Sequence, residues 1–407
     1  MHSFKGETFN MHRRTIETSE IVQPERLSLP RRSAIVAIPA RNEAERIARC
    51  LSALAVQRDR LGAPITPGHF GVLLLVNNST DGTADVARKL VPNLPYPLEI
   101  LEASLLRNAT AGGARRRAMQ EAAERLGKGS ANGVLLTTDA DSLVTPTWFI
   151  DNLHHLDSGV DCVAGYIDAE PAEIVSLGAS FLARGRLEDT YLRLVAEIYA
   201  LCDPRAYDPW PNHRVSSGAS LAVTLAAYEA VGGMPDKALG EDAAFTTLLD
   251  QRGFKVCHPL DVSVVTSCRL NGRATGGAAD TMRYRRETPD APCDDDLEPA
   301  VKTLLRASLR GFLRKAYQQD GIEQALSRLL GRGRLDRAAS LPFLEMWREI
   351  EARHPKLQKR TPLRPSDLPR QIAAANFILR HVRPNWRRID VPKDKYLHAI
   401  SYASVDA

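Results

Sequence analysis

The run V-L-L-T-T-D-A-D-S-L at residues 134–143 decides the fold, because a short apolar stretch stops abruptly at Asp139-Ala140-Asp141. An apolar run bounded by polar residues predicts a buried parallel strand. The two acids would leave its carboxyl end, where open α/β sheets bind ligands. Side chains two apart in extended chain point the same way, so Asp139 and Asp141 are expected to face one cation or one sugar-phosphate together. Oxygen donors of this kind suit Mg2+ or Mn2+ shared with a diphosphate. The same residues also fit ordinary loop chemistry ahead of a helix opened by Pro146-Thr147-Trp148-Phe149, and the flanking segments decide between the two.

Upstream, Ala34-Ile35-Val36-Ala37-Ile38 is a β-type run stopped by Pro39, followed by Arg41-Asn42-Glu43. Ile47, Cys50, Leu51 and Leu54 then recur at helical spacing. The unit repeats at Val72-Leu73-Leu74-Leu75-Val76, whose loop Asn77-Asn78-Ser79-Thr80-Asp81-Gly82-Thr83 is made of turn and cap formers. A third strand is expected over residues 98–101, and a helix opens at Gly112-Gly113-Ala114. Arg115, Arg116 and Arg117 cannot all face one ligand, since successive helical residues point ~100° apart. Alternating strands and helices predict a mainly parallel, doubly wound sheet whose loops converge at one edge. They bring Glu43 and Asn77 for a base or ribose, an arginine for phosphate and two aspartates for a metal. Neither G-x-G-x-x-G after the first strand nor G-K-[ST] is present, so a nucleotide held by carboxylates and a divalent ion fits better than a glycine cradle.

Downstream, one strand is expected over residues 160–167 and one long helical region over 172–201. His213 falls in a surface loop rich in proline, where a histidine is either a ligand or base, or more commonly neither. Ser217-Gly218-Ala219 stands ahead of a short helix expected over residues 228–231. Glu241-Asp242 opens a helix, where simple N-terminal capping is the alternative to chemistry.

A chain of 407 residues with 44% apolar content accommodates one large α/β domain and an addition. No stretch nears eighteen consecutive apolar residues and the first thirty lack a signal-peptide core, so a cytoplasmic protein is expected. Six scattered cysteines read as reduced and structural. From Val301 onward there are 22 Lys+Arg against 10 Asp+Glu, so a chain of net charge +5 leaves its first 300 residues at −7. No zinc-finger spacing or aromatic RNA-binding motif accompanies these arginines, and no nucleic-acid partner is expected. The expected organisation is a mobile arm over residues 1–30, a catalytic domain over 31–290 and a basic helical extension over 291–407. In the extension Val301, Leu304, Leu305, Leu309, Phe312 and Ala316 form an apolar stripe, with Arg306, Arg310 and Arg314 off it. Helices packed on the domain are the first reading of this extension; a surface for a membrane face or another anionic partner is the second.

Six motifs, in order, resemble the family 2 glycosyltransferases of GT-A fold. They are Ile38-Pro39-Ala40-Arg41-Asn42-Glu43, the loop from Asn77 to Thr83, Gly113-Ala114-Arg115, Asp139-Ala140-Asp141, Ser217-Gly218-Ala219 and Gly240-Glu241-Asp242. The resemblance spans residues 35–277 and implies metal-dependent transfer of a sugar from a nucleoside diphosphate donor to a hydroxyl acceptor, with inversion. By that resemblance Pro39, Arg41, Glu43 and Asn77 surround the nucleoside and Arg115 approaches the diphosphate or sugar. Asp139 and Asp141 serve ribose and metal, with Ala140 between them, and Ser217, Gly218 and Ala219 floor the sugar and acceptor site. Asp242 is the implied base and Glu241 orients a sugar beside it. A retaining enzyme of the same fold, such as those making glucosyl-3-phosphoglycerate, and a non-catalytic nucleotide-sugar-binding module are the alternatives. The sequence departs from the family in three ways: Asn77 and Asn78 replace the usual acids, Val264-Val265-Thr266-Ser267-Cys268-Arg269 lacks a histidine, and the long tail has no counterpart.

Overall fold

The computed structural model describes residues 34–383, apart from 66–67, 105–108, 128–131, 274–275, 320, 331–340 and 359–361. The arm expected over residues 1–30 lies outside the described residues. The strands are β1 (Ala34–Ala40), β2 (Gly71–Asn77), β3 (Leu98–Ala103), β4 (Val134–Thr137), β5 (Ser142–Val144), β6 (Cys162–Ala164), β7 (Tyr166–Ala169), β8 (Leu221–Thr224), β9 (Val256–Cys257) and β10 (Ser263–Thr266). The helices of the first half are α1 (Ile47–Ala55), α2 (Thr83–Leu90), α3 (Ala111–Leu126), α4 (Trp148–Asp157), α5 (Pro171–Ser176), α6 (Ala179–Cys202) and α7 (Leu225–Ala230). They are followed by α8 (Glu241–Gln251), α9 (Ala278–Glu287), α10 (Ala300–Gln318), α11 (Ile322–Leu330), α12 (Phe343–Arg353) and α13 (Leu368–Val382).

The main sheet runs β3-β2-β1-β4-β8-β6-β9, parallel except where β8 lies antiparallel between β4 and β6. The reason is visible in β1, whose residues are apolar on both faces. Val36 and Ile38 join α1, α2 and α4 in one core, while Ile35 and Ala37 join α3, α7 and α8 in the other. The strand order reverses between β1 and β4. Their outgoing loops therefore flank the crevice where such sheets take ligands.

Two expected elements are divided. The strand expected over residues 160–167 is two strands in different sheets: β6 stays in the main sheet, and β7 joins a small one of order β5-β10-β7. Gly165 sits at the changeover, donating to the Ser220 carbonyl at 2.9 Å, and a Cβ there would lie 2.2 Å from Ser220 Oγ. An apolar run alone does not reveal such a change of sheet. The long helix expected over 172–201 breaks at Gly178, whose φ of 96° cannot continue a helix.

The tail is helical as expected, but the face of α10 that is buried differs. Ala300, Thr303, Ala307 and Leu313 face inward, whereas Val301, Leu305 and Phe312 of the expected stripe are 70%, 39% and 50% exposed. The arginines lie on the inner side. Arg314 grips both oxygens of Asp203 at 2.6 and 3.0 Å, and Arg306 pairs with Glu298 and Glu351. Arginines expected off the apolar stripe are here paired with largely buried acids. Helices α6, α10 and α13 share one core and α10, α11 and α12 another. Among the described residues no helix is long and apolar enough to cross a membrane.

Candidate active site

The loops after β1 and β2 interlock. Asn42 and Asn78 hold positive φ of 54° and 48°, which asparagine tolerates better than most residues. Asn42 Oδ1 accepts from the Thr80 N–H at 2.7 Å, and the Asn42 N–H donates to Ser79 Oγ at 3.0 Å. The Glu43 N–H donates to Thr83 Oγ1 at 2.8 Å and the Ala44 N–H to Asp81 Oδ2 at 3.0 Å. Much of the 77–83 motif thus holds the first loop in shape. Asn77 remains to line the crevice.

That crevice is a cavity of about 340 Å³. Pro39, Arg41, Glu43, Asn77, Arg115, Asp139, Ala140, Asp141 and Ser217 all line it. β4 ends at Thr137, and the Ser142 N–H donates to the Asp139 carbonyl at 3.1 Å, so the two aspartates sit on a turn instead of the extended chain expected. They nevertheless share the cavity wall.

Arg115 is buried behind them with its donors engaged. Nε donates to Glu241 Oε1 at 2.9 Å and Nη2 to Asp139 Oδ1 at 2.6 Å, while Nη1 reaches Thr137 Oγ1 at 3.1 Å and the Gly218 carbonyl at 2.8 Å. A Cβ at Gly218 would lie 2.1 Å from that Nε, so only glycine fits there. Glu241, 4% exposed, is therefore joined to Asp139 through one guanidinium.

Sequence reasoning missed Arg269. It follows β10, in the segment noted for lacking a histidine, and donates to both carboxylate oxygens of Glu43 while lying 3.0 Å from Asp141 Oδ2. Its signal was position alone. Burial raises the Asp141 carboxyl to about 7, with repulsion from Asp139 and Glu43 adding to it and Arg269 opposing it. Among the described residues no three His, Cys, Asp or Glu side chains form a ready-made metal cage. Two neighbouring carboxylates on one cavity wall, whose repulsion helps to raise Asp141, do fit an ion that keeps waters and shares a diphosphate.

Asp242 lies in the first turn of α8, whose N-cap is Gly240 at φ 69°, so the capping position expected for the acid pair belongs to the glycine. Asp242 Oδ2 accepts from the Gly218 N–H at 2.8 Å. Asp242, Glu241 and Gly218 line neither cavity themselves: Ser217, before Gly218, lines the first, and Ser216 and Ala243, after Asp242, line a second of about 810 Å³. In the second cavity Ser216 Oγ lies 3.3 Å from His258 Nε2, and His258 Nδ1 lies 3.2 Å from Asp208 Oδ2. His213, expected on a surface loop, is buried against Tyr166 and His258. Burial lowers it to about 3, with repulsion from His258 adding to it, so the ring is neutral.

Residues 35–192 match glycosyl transferase family 2. They form a family 2 glycosyltransferase domain. The chain is an α/β protein, its main sheet mostly parallel, with a helical C-terminal region. The matched stretch contains the residues from Pro39 to Asp141; Ser217, Glu241 and Asp242 lie beyond it. No curated protein matches the chain. Among solved structures it is similar to the mannosyltransferase PcManGT from Pyrobaculum calidifontis in complex with GDP-Man and Mn2+, at 20% identity over 88% of each chain with a TM-score of 0.43. It is also similar to S. aureus TarS 1-349 in complex with UDP-GlcNAc, at 17% identity over 79% of this chain and 83% of that one, with a TM-score of 0.42. Glucosyl-3-phosphoglycerate synthase from Mycobacterium tuberculosis overlaps at 15% identity over 68% and 78%, with a TM-score of 0.36.

Proposed function

We propose that the enzyme moves a sugar from a nucleoside diphosphate donor in the first cavity to a hydroxyl acceptor entering from the second, with inversion. The observation that carries this reading is that Asp242 is bound to the Gly218 amide, next to Ser217 of the cavity walled by Asp139 and Asp141, and directly precedes Ala243 of the larger cavity. The acceptor oxygen attacks the anomeric carbon on the face opposite the diphosphate. As the new C–O bond forms, its proton passes to Asp242, and the bond to the diphosphate breaks with its electron pair staying on the leaving group. General-base help of this kind is worth ~10²–10⁴ in rate.

Glu43, Asn77, Pro39 and Arg41 suit the nucleoside end of the cavity. Asp139 and Asp141 would hold Mg2+ or Mn2+, which when bound neutralises charge on the leaving diphosphate. Arg115 and Glu241 are assigned as positioning residues, because their polar atoms are committed to each other, to Asp139 and to Gly218. The test is to incubate purified protein with a panel of nucleotide-sugars and Mn2+ and to follow donor cleavage and the anomeric proton signal of the product. Cleavage with inverted configuration is expected. Retained configuration removes the single-displacement step, and no cleavage of any donor removes the transferase mechanism.

A further inference from the structure

The larger cavity has no role yet beyond admitting an acceptor, and its charge is unevenly spread. On one side the charges are paired off: Glu298 takes Arg306 and Lys302, Glu351 takes Arg306, and Asp294 takes Arg285. The opposite corner differs. Arg205 and Arg310 face acids already in use, because Asp203 is gripped by Arg314 through both oxygens and Asp208 is bound by His258, and Arg214 lines the same cavity.

Arg205 has a side-chain hydrogen bond with Tyr207, but the acids nearest Arg205 and Arg310 stand outside good hydrogen-bond geometry. Arg205 reaches Asp208 only at 4.0 Å, and Arg214 lies over the Tyr199 ring at 3.7 Å from its centre. Arg310 Nε lies 3.4 Å from Asp203 Oδ2 and its Nη2 lies 3.9 Å from Asp250. The first distance counts as an ion pair, but its geometry makes no hydrogen bond, and Nε is a buried donor with no partner. Buried donors of this kind are ordinarily satisfied. Burial, reinforced by repulsion from Arg205, Arg314 and Arg214, lowers Arg310 to about 10. Three forked cations lining one cavity with Ser216 and with Ala243, which follows Asp242, suit an oxyanion such as phosphate.

We propose that the second cavity binds the acceptor through a phosphate group held by Arg205, Arg214 and Arg310, presenting the acceptor hydroxyl toward Asp242. This rests on the reading of Asp242 as the base. The substrate class is a phosphorylated hydroxyl compound, whether a free phosphate monoester or a phosphate carried on lipid.

The full chain is titrated calorimetrically with inorganic phosphate and with glycerol 3-phosphate at constant ionic strength. Arg214→Gln, Arg310→Gln and Arg273→Gln are compared with the parent; Arg273 lines the first cavity. Saturable binding is expected, weakened about tenfold or more by Arg214→Gln and Arg310→Gln, as loss of a charged hydrogen bond implies, and unchanged by Arg273→Gln. Arg214 is exposed, so its variant carries the test even where Arg310→Gln fails to fold. Binding that is absent, indifferent to Arg214→Gln or abolished by Arg273→Gln overturns the proposal. Sedimentation with phosphatidic acid vesicles separates the two sources: retention of the parent but not of Arg214→Gln identifies lipid phosphate, and glycerol 3-phosphate binding alone identifies a soluble ester. Donor cleavage without phosphate binding defeats this proposal only. Phosphate binding without cleavage of any donor leaves the anion site standing and defeats the transfer mechanism.

Discussion

The Asp242 carboxylate and the Gly218 backbone are joined by a 2.8 Å hydrogen bond, the amide donating to Oδ2, while Oδ1 accepts from the Ala243 N–H at 2.7 Å. Backbone groups thus fix both oxygens of the acid beside chain segments that line the two cavities. Asparagine at 242 keeps one acceptor oxygen and the size of the side chain but loses the proton acceptor. Asp242→Asn should therefore preserve donor affinity within a few-fold, while transfer falls by ~10²–10⁴. Both are measured on one preparation, and near-normal turnover would remove Asp242 from the mechanism.

Gly218 also makes room for Arg115, since a methyl there would lie 2.1 Å from Nε and 2.2 Å from Cζ. Gly218→Ala should destabilise the fold by about 1–3 kcal/mol, the usual cost of overpacking, and lower transfer by displacing the guanidinium that joins Asp139 to Glu241. Urea unfolding checks the first and turnover the second. The clash disappears if the arginine is shortened, so Gly218→Ala with Arg115→Ala should be less destabilised than the sum of the two changes. Full additivity would show that the close approach is not what excludes alanine.

How much of this was legible in the sequence depended on whether the deciding contact was local. Period and punctuation carried β1, β2, β4 and their loops, because apolar runs ending at Pro39, Asn77 and Asp139 report burial and its end directly. The donor-side residues, once those loops were ordered along one sheet edge, fell on one cavity wall. The Arg269–Glu43 pair was not legible, since its members are 226 residues apart and a loop arginine carries no local signal. Nor was the inward face of α10, where Arg306, Arg310 and Arg314 lie off the expected apolar stripe and meet acids from α8, from the loop after α6 and from the loop before α10. Charge in a sequence does not say which way it faces when partners come from elsewhere.

Arg314 tests that last point. Its side chain is 16% exposed and its partner Asp203 is 2% exposed, so the pair is largely removed from water. Breaking a buried pair from one side leaves an uncompensated charge, at a cost of about 3–5 kcal/mol. Arg314→Glu should lower stability by that order in urea titrations and loosen the contact between α10 and the end of α6. A loss below ~1 kcal/mol would mean the pair behaves as an exposed one, and the tail arginines would again be candidates for an outward surface.

Asp208 links the second cavity to pH. Burial alone would raise its carboxyl, but the side-chain hydrogen bond and charge of His258, then the charge of Arg205 and the His258 N–H, lower it from 3.8 to about 2. An acid whose folded pKa lies below its unfolded value contributes stability that is complete above the unfolded value and is lost as pH falls through the folded one. The window is therefore from about pH 4 down to about pH 2, and the contribution above it is on the order of 2 kcal/mol. Asp208→Asn should be less stable than the parent at neutral pH, and the gap between the two should narrow as pH falls through that window, because the parent alone takes up the extra proton. Urea unfolding of both proteins from pH 7 to pH 2.5 measures the gap. A gap that stays constant across the window would show that Asp208 titrates alike in the folded and unfolded chain, and the Ser216–His258–Asp208 contacts could then not be holding a charged carboxylate at the cavity wall.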